Sequence, residues 1–131
     1  NVGINSTIPG TLLEIMGDGS NPATITFNRA PTVGNDGVIG EFLFENVTDS
    51  VAQISVKRES AADDAYIQFA TQATGSSFAE RLRIGSAGQF GIGGANYGSS
   101  GQVLTSGGSG AAPTWEDASG GFSMFNYILA I

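Results

Sequence analysis

Short runs of period two, each cut off by a turn rich in Gly, Asn, Asp or Ser, set the narrowest limit on what this chain can fold into. Residues 51–57 alternate cleanly, with Ala52, Ile54 and Val56 on one face and Gln53, Ser55 and Lys57 on the other. Residues 23–28 alternate too, residues 66–71 bring Ile67 and Phe69 together, and residues 80–84 set Leu82 and Ile84 against their charged neighbours. Residues 38–44 are nearly continuous in apolar character, which predicts burial on both faces or at a subunit interface. Turn signals follow at Gly17-Asp18-Gly19, Gly34-Asn35-Asp36-Gly37, Thr48-Asp49-Ser50, Ala62-Asp63-Asp64 and Gly85-Ser86-Ala87-Gly88. The spacing predicts an all-β meander or small sandwich. The one helical signal, at 60–65, is too short to stand without packing.

The pattern predicts that residues 80–84 and 89–92 pair as an antiparallel hairpin. Leu82 and Ile84 are expected to face the module core, Arg81 and Arg83 the solvent, and Gly88 to take a positive φ in the turn. Asn35-Asp36 and Asp36-Gly37 suit the same kind of backbone.

Composition closes several routes to function. With 5 Lys/Arg against 12 Asp/Glu the net charge is −7, leaving no basic stripe for nucleic acid or for an anionic membrane surface. The absence of Cys and His removes disulfides, thiol nucleophiles, Cys/His zinc sites and imidazole-based triads. The apolar run at 122–131 is too short to span a bilayer, so no membrane insertion is expected. Gly accounts for 20 of 131 residues, yet hydrophobics reach 40%, which does not describe a disordered chain.

No motif here builds a catalytic centre or a cofactor site. Asp18, Asp36, Asp49, Asp63 and Asp64 stand in turns that could offer oxygen ligands to calcium, but EF-hand and nonapeptide spacings are missing, and turn capping explains them. Gly91-Ile92-Gly93-Gly94 and Gly107-Gly108-Ser109-Gly110 lack the remaining residues of a phosphate loop. Glu41/Glu45, Asp63/Asp64 and Glu116/Asp117 are conceivable carboxylate pairs for glycoside hydrolysis, with nothing to mark a cleft; Glu41 and Glu45 read as outward strand positions and the other pairs as turns. Asn5-Ser6-Thr7 and Asn46-Val47-Thr48 match the glycosylation sequon. Tyr97 and Trp115 could stack on sugar rings, or instead plug an assembly axis or cap a module; they are the glycan-contact candidates. No catalytic, metal or cofactor residue is assigned.

One phrase recurs. Asn1-Val2-Gly3-Ile4, leading to Leu12-Leu13-Glu14-Ile15, is echoed by Gln89-Phe90-Gly91-Ile92, leading to Val103-Leu104. The second copy lies within Glu80-Arg81-Leu82-Arg83-Ile84, a Ser/Gly turn, then Gly101-Gln102-Val103-Leu104-Thr105-Ser106 and Pro113-Thr114-Trp115. This phrase closely resembles one found in tail fibres and related virion proteins of tailed bacteriophages, notably of marine and cyanobacterial hosts. Residues 1–15 resemble the other form of the same punctuation, with Asn5 in place of the usual Gly, while Phe90 replaces the usual Val. The likeness covers nearly all of the chain and fades after Trp115.

The resemblance implies an elongated, intertwined homotrimeric fibre on the virion surface: a non-enzymatic tail-fibre stalk supporting host-receptor recognition and adsorption. Its expected partners are its own copies, other virion tail or capsid proteins and, through an adjacent module, host surface glycan. A capsid-attached fibre or decoration protein, and the non-catalytic stem of a polysaccharide depolymerase, remain alternatives. The expected organisation is the end of a shaft repeat at 1–17, a β module at 18–92, a Gly/Ser-rich extended shaft or linker at 93–121 and the start of a further module at 122–131. Beyond Ile92 the chain is expected to run along the fibre axis towards Trp115. Both ends of the sequence read as cuts within a longer polypeptide.

Overall fold

A computed structural model of the chain describes residues 2–4, 13–15, 17–30 and 32–118. The segments 119–121 and 122–131, the Asn5-Ser6-Thr7 sequon and most of the first copy of the repeated phrase lie outside the described residues. Within them every regular element is a strand. β1 (Val2–Ile4) pairs in parallel with β2 (Leu13–Ile15). β3 (Val38–Asn46), β4 (Asp49–Arg58), β5 (Ala65–Gln72), β6 (Phe78–Ile84) and β7 (Phe90–Ile92) form one antiparallel sheet in sequence order. β8 (Gln102–Thr105) and β9 (Thr114–Asp117) form a separate antiparallel pair.

The all-β meander read from the turn spacing is therefore present, and the β6–β7 hairpin has the expected register, Leu82 opposite Ile92 and Ile84 opposite Phe90. Gly88 turns it with φ 83°. Asp36 also takes a positive φ, 60°.

Two local expectations are overturned. Residues 23–28 form no strand; instead Phe27 lies over Gly40 and meets Phe42 edge-on at 5.3 Å. Without a Cβ, Gly40 admits that ring, so packing replaces backbone pairing there. Residues 60–64 make the turn signalled at Ala62-Asp63-Asp64, as the short helical signal there suggested, held by Asp64, whose carboxylate accepts from the Ser60 and Ala61 amides at 2.8 and 2.7 Å. The second is the β3–β4 turn, which falls at Val47-Thr48, one residue earlier than the Thr48-Asp49-Ser50 signal, because Asn46 pairs with Asp49. Val47 takes φ 63°, a rare state for a β-branched residue.

The sheet has two unlike faces, and the better-covered one is polar. Ser55, Tyr66, Gln68 and Ala70 are the most buried side chains on it, at 1%, 2%, 7% and 2% exposure. Glu41, Ser55, Gln68, Arg83 and Gly91 form one row across it. Tyr66 donates its hydroxyl to Asp36 at 2.8 Å, and the Arg83 guanidinium stacks over its ring at 4.1 Å.

Arg83 is thus turned to the covered face, not to solvent. A β-bulge between the Phe69 and Ala70 pairings admits Arg81 as an extra residue in β6. Three positions apart on a regular strand would put Glu80 and Arg83 on opposite faces. The bulge brings them to the same face, where they form a two-pronged ion pair, while Arg81 donates to Thr71 at 2.9 Å. By the same register Leu82 and Ile84 face away from this covered side.

Replacing Gly88 with Ala should cost about 1 kcal/mol in denaturant unfolding, because a Cβ at φ 83° is sterically disfavoured. Gly110→Ala, at a site with open space and no positive φ, should be close to neutral. The Tyr66 phenol gives a second test. Burial first, then the bond to Asp36, pushes its pKa from 10.0 up to about 12. The neutral phenol is the form that the fold favours, so its contribution is complete below pH 10 and lost as pH rises through about 12. Alkaline unfolding followed alongside tyrosinate absorbance should show that loss, and Tyr66→Phe should flatten it.

Candidate functional site

The opposite face of the five-stranded sheet is apolar and half open. Two rows cross it. Phe42, Ile54, Phe69, Leu82 and Ile92 are aligned strand by strand, and beside them run Gly40, Val56, Ile67, Ile84 and Phe90. Neither row contains a charge. Phe42, Phe90 and Ile67 keep 51%, 52% and 39% of their surface exposed, and the residues between them are only half buried. A contiguous apolar surface of this kind is the usual mark of an interface, whereas single exposed hydrophobes are ordinary.

The expectation of a core around Leu82 and Ile84 is corrected accordingly. These residues do share a face with Ile54, Val56, Ile67 and Phe69, as the alternation predicts, but among the described residues the cover seen there is Phe27, over Gly40 and against Phe42 at the β3 end, and the rest of the face stays half open. Residues 38–44 are likewise not buried on both sides: β3 is an edge strand on which Phe42, Leu43 and Phe44 are all about half exposed. A nine-residue edge strand with apolar side chains on both faces is also open to pairing.

Among the described residues, the segment after β7 covers part of the polar face. After β7, the Ile92 amide donates to the Asn96 carbonyl at 3.0 Å and the Gly93 amide to the Arg81 carbonyl at 3.1 Å, turning residues 93–97 back. Gly91 has no side chain, which admits the Gly94 carbonyl and the Tyr97 ring. The Tyr97 hydroxyl donates to Glu59 at 3.3 Å, and the other Glu59 oxygen accepts from the Ser86 amide at 2.8 Å. Glu59 therefore joins the end of β4, the β6–β7 turn and the returning segment. Its bonds with Ser86, then that with Tyr97, hold its carboxyl below the usual range.

Trp115 packs on Gly98 and donates Nε1–H to the Asn96 carbonyl at 3.0 Å. The two glycan-contact candidates, Tyr97 and Trp115, thus flank the same short segment, both half buried, and both anchor it. The chain does not run straight from Ile92 to Trp115. It reverses through β8 and β9, with Leu104 opposite Trp115, and most of residues 98–118 stay exposed.

Asp18 and Asp64 cap their own turns, whereas Asp36 and Asp49 accept from residues distant in sequence, Tyr66 and Gln72. Asp18 accepts from the Ser20 and Asn21 amides at 3.0 and 2.7 Å, and Asp49 from Gln72 at 3.2 Å. No three acidic side chains converge as metal ligands among the described residues. Of the carboxylate pairs, Glu41 accepts from Gln53 and Glu45 from Ser50, on either side of the Phe44/Glu45 register shift. Glu116 and Asp117 lie on β9, not in a turn; they accept from Thr114 and Gln102, and successive strand residues point apart.

Glu59→Ala should free the Ser86 amide and the Tyr97 ring. Hydrogen exchange at Ser86 should accelerate, while amides at the β3–β4 turn keep their rates. The same release is expected in wild type at low pH, since a depressed carboxyl contributes above its unfolded pKa and ceases to as pH falls through the folded one. Searches against protein-family models, curated proteins and solved structures give no match for this chain.

Proposed function

We propose that this chain is a structural, non-enzymatic segment of a bacteriophage tail-fibre stalk, assembled as a homotrimer on the virion and supporting host recognition. The observation that carries the assembly is the uncovered apolar face of β3–β7. Among the described residues only Tyr66 and Ala70 count as fully buried hydrophobics, far less than a domain of this size needs to stand alone. Identical chains offer identical uncharged rows, and closing them round a symmetry axis buries all copies at once. The −7 charge of each chain is carried off these rows, so association does not bury it. Three-fold order and the phage setting rest on the resemblance of residues 80–117 and 1–15 to tail-fibre phrases.

Sedimentation equilibrium should return three times the 13.3 kDa chain mass. Phe42→Asp and Phe90→Asp should each shift the protein towards monomer, since an unpaired charge in a closed apolar interface is strongly disfavoured. Val47→Asp, at a 93% exposed turn away from the rows, should leave the trimer intact. A wild-type monomer or dimer would overturn the proposal.

A further inference from the structure

A cavity at one end of the sheet has an electrostatic character opposite to that of the chain. It is half open, about 170 Å³ in volume, and both Arg29 and Arg58 line it. No acidic residue lines it, although Asp and Glu outnumber Lys and Arg by 12 to 5. The sole ion pair among the described residues is that of Arg83 with Glu80, so both guanidinium charges here are unpaired. Each is held in place by a backbone carbonyl: Arg29 Nη1 donates to Val38 O and Arg58 Nη1 to Val33 O, both at 2.6 Å. Arg58 Nε is buried with no acceptor at all. The loop that carries Val33 is fixed in turn, since the Asp36 amide donates to Arg58 O at 2.8 Å and the Arg58 amide to Gly37 O at 3.0 Å.

We propose that this cavity binds a carboxylate-bearing sugar residue of the uronic-acid type. Two fixed guanidinium groups with free N–H edges match a planar carboxylate, and Arg keeps its charge at any working pH. The remaining walls suit a sugar ring: Val33, Ile39 and Ala62 are apolar, while Asn28 and Thr32 offer polar groups for hydroxyls. The volume equals roughly six waters, enough for one ring and smaller than a drug-sized site. The site lies within one chain and borders the apolar face through Phe27, which meets Phe42.

Ligand-observed NMR on the full chain tests this, with glucuronate, glucose, acetate and inorganic phosphate as probes. Glucuronate should bind, more weakly as salt rises. Glucose lacks the charge and acetate the ring, and each should bind roughly tenfold or more weakly, as should phosphate. Arg29→Gln should weaken glucuronate binding roughly tenfold or more. Ala62→Phe should do the same by filling the cavity while leaving both arginines in place. Arg81→Gln, a cation elsewhere on the sheet, should change nothing. Absence of glucuronate binding would overturn the proposal. So would equal or tighter binding of glucose, acetate or phosphate, or unchanged glucuronate binding in both Arg29→Gln and Ala62→Phe with the fold intact by NMR.

Discussion

A sheet has two faces, and the described chain covers the polar one more fully than the apolar one. Everything else in the structure follows from which face it chose. The return of residues 93–97, anchored by the Ile92 and Gly93 amides, lies against Gly91, at the β7 end of the row that runs on through Arg83, Gln68 and Ser55. A small segment can satisfy such a row because its stabilisation comes from directed hydrogen bonds rather than from area. The apolar rows need area, and the described chain provides little of it beyond Phe27 at Gly40 and Phe42. Hydrophobic burial scales with surface removed from water, so the face left open is the one that gains most from a large partner surface.

The polar face has its own requirement for consistency. A buried polar group without a partner is costly, and the covered face meets this through linked contacts: Asp36 to Tyr66, Tyr66 to Arg83, Arg83 to Glu80. The β6 bulge makes the last link possible by bringing Glu80 round to the side of Arg83. Ser55 Oγ is an exception, buried without an acceptor or donor beside it.

Much of this architecture was legible in the sequence. Period-two alternation located β4, β5 and β6, and the Gly88 turn with its register followed from local chemistry. Which face would be covered was not legible. Alternation says that Ile67, Phe69, Leu82 and Ile84 lie together; it does not say that the described chain leaves them half open. That Glu80 meets Arg83 on one side depends on one inserted residue at Arg81, which no composition or spacing signals. Residues 23–28 show the converse limit, since a valid strand pattern gave way to the fit of Phe27 over Gly40. The Arg29–Arg58 cavity went unseen because its two cations are far apart in sequence and only folding brings them to one end of the sheet.

The number of strands has a mechanical consequence. Five antiparallel strands in sequence order make β3 and β7 run in the same direction, at opposite edges of the sheet. The chain therefore enters at one end of the strands, at Val38, and leaves at the other, beyond Ile92. Tension applied between those two points acts along the strands and across every ladder between them. Inter-strand hydrogen bonds lie perpendicular to that pull. They are loaded together in shear, not parted one after another as at the end of a hairpin. An even-stranded meander would bring entry and exit to the same end and give up that resistance.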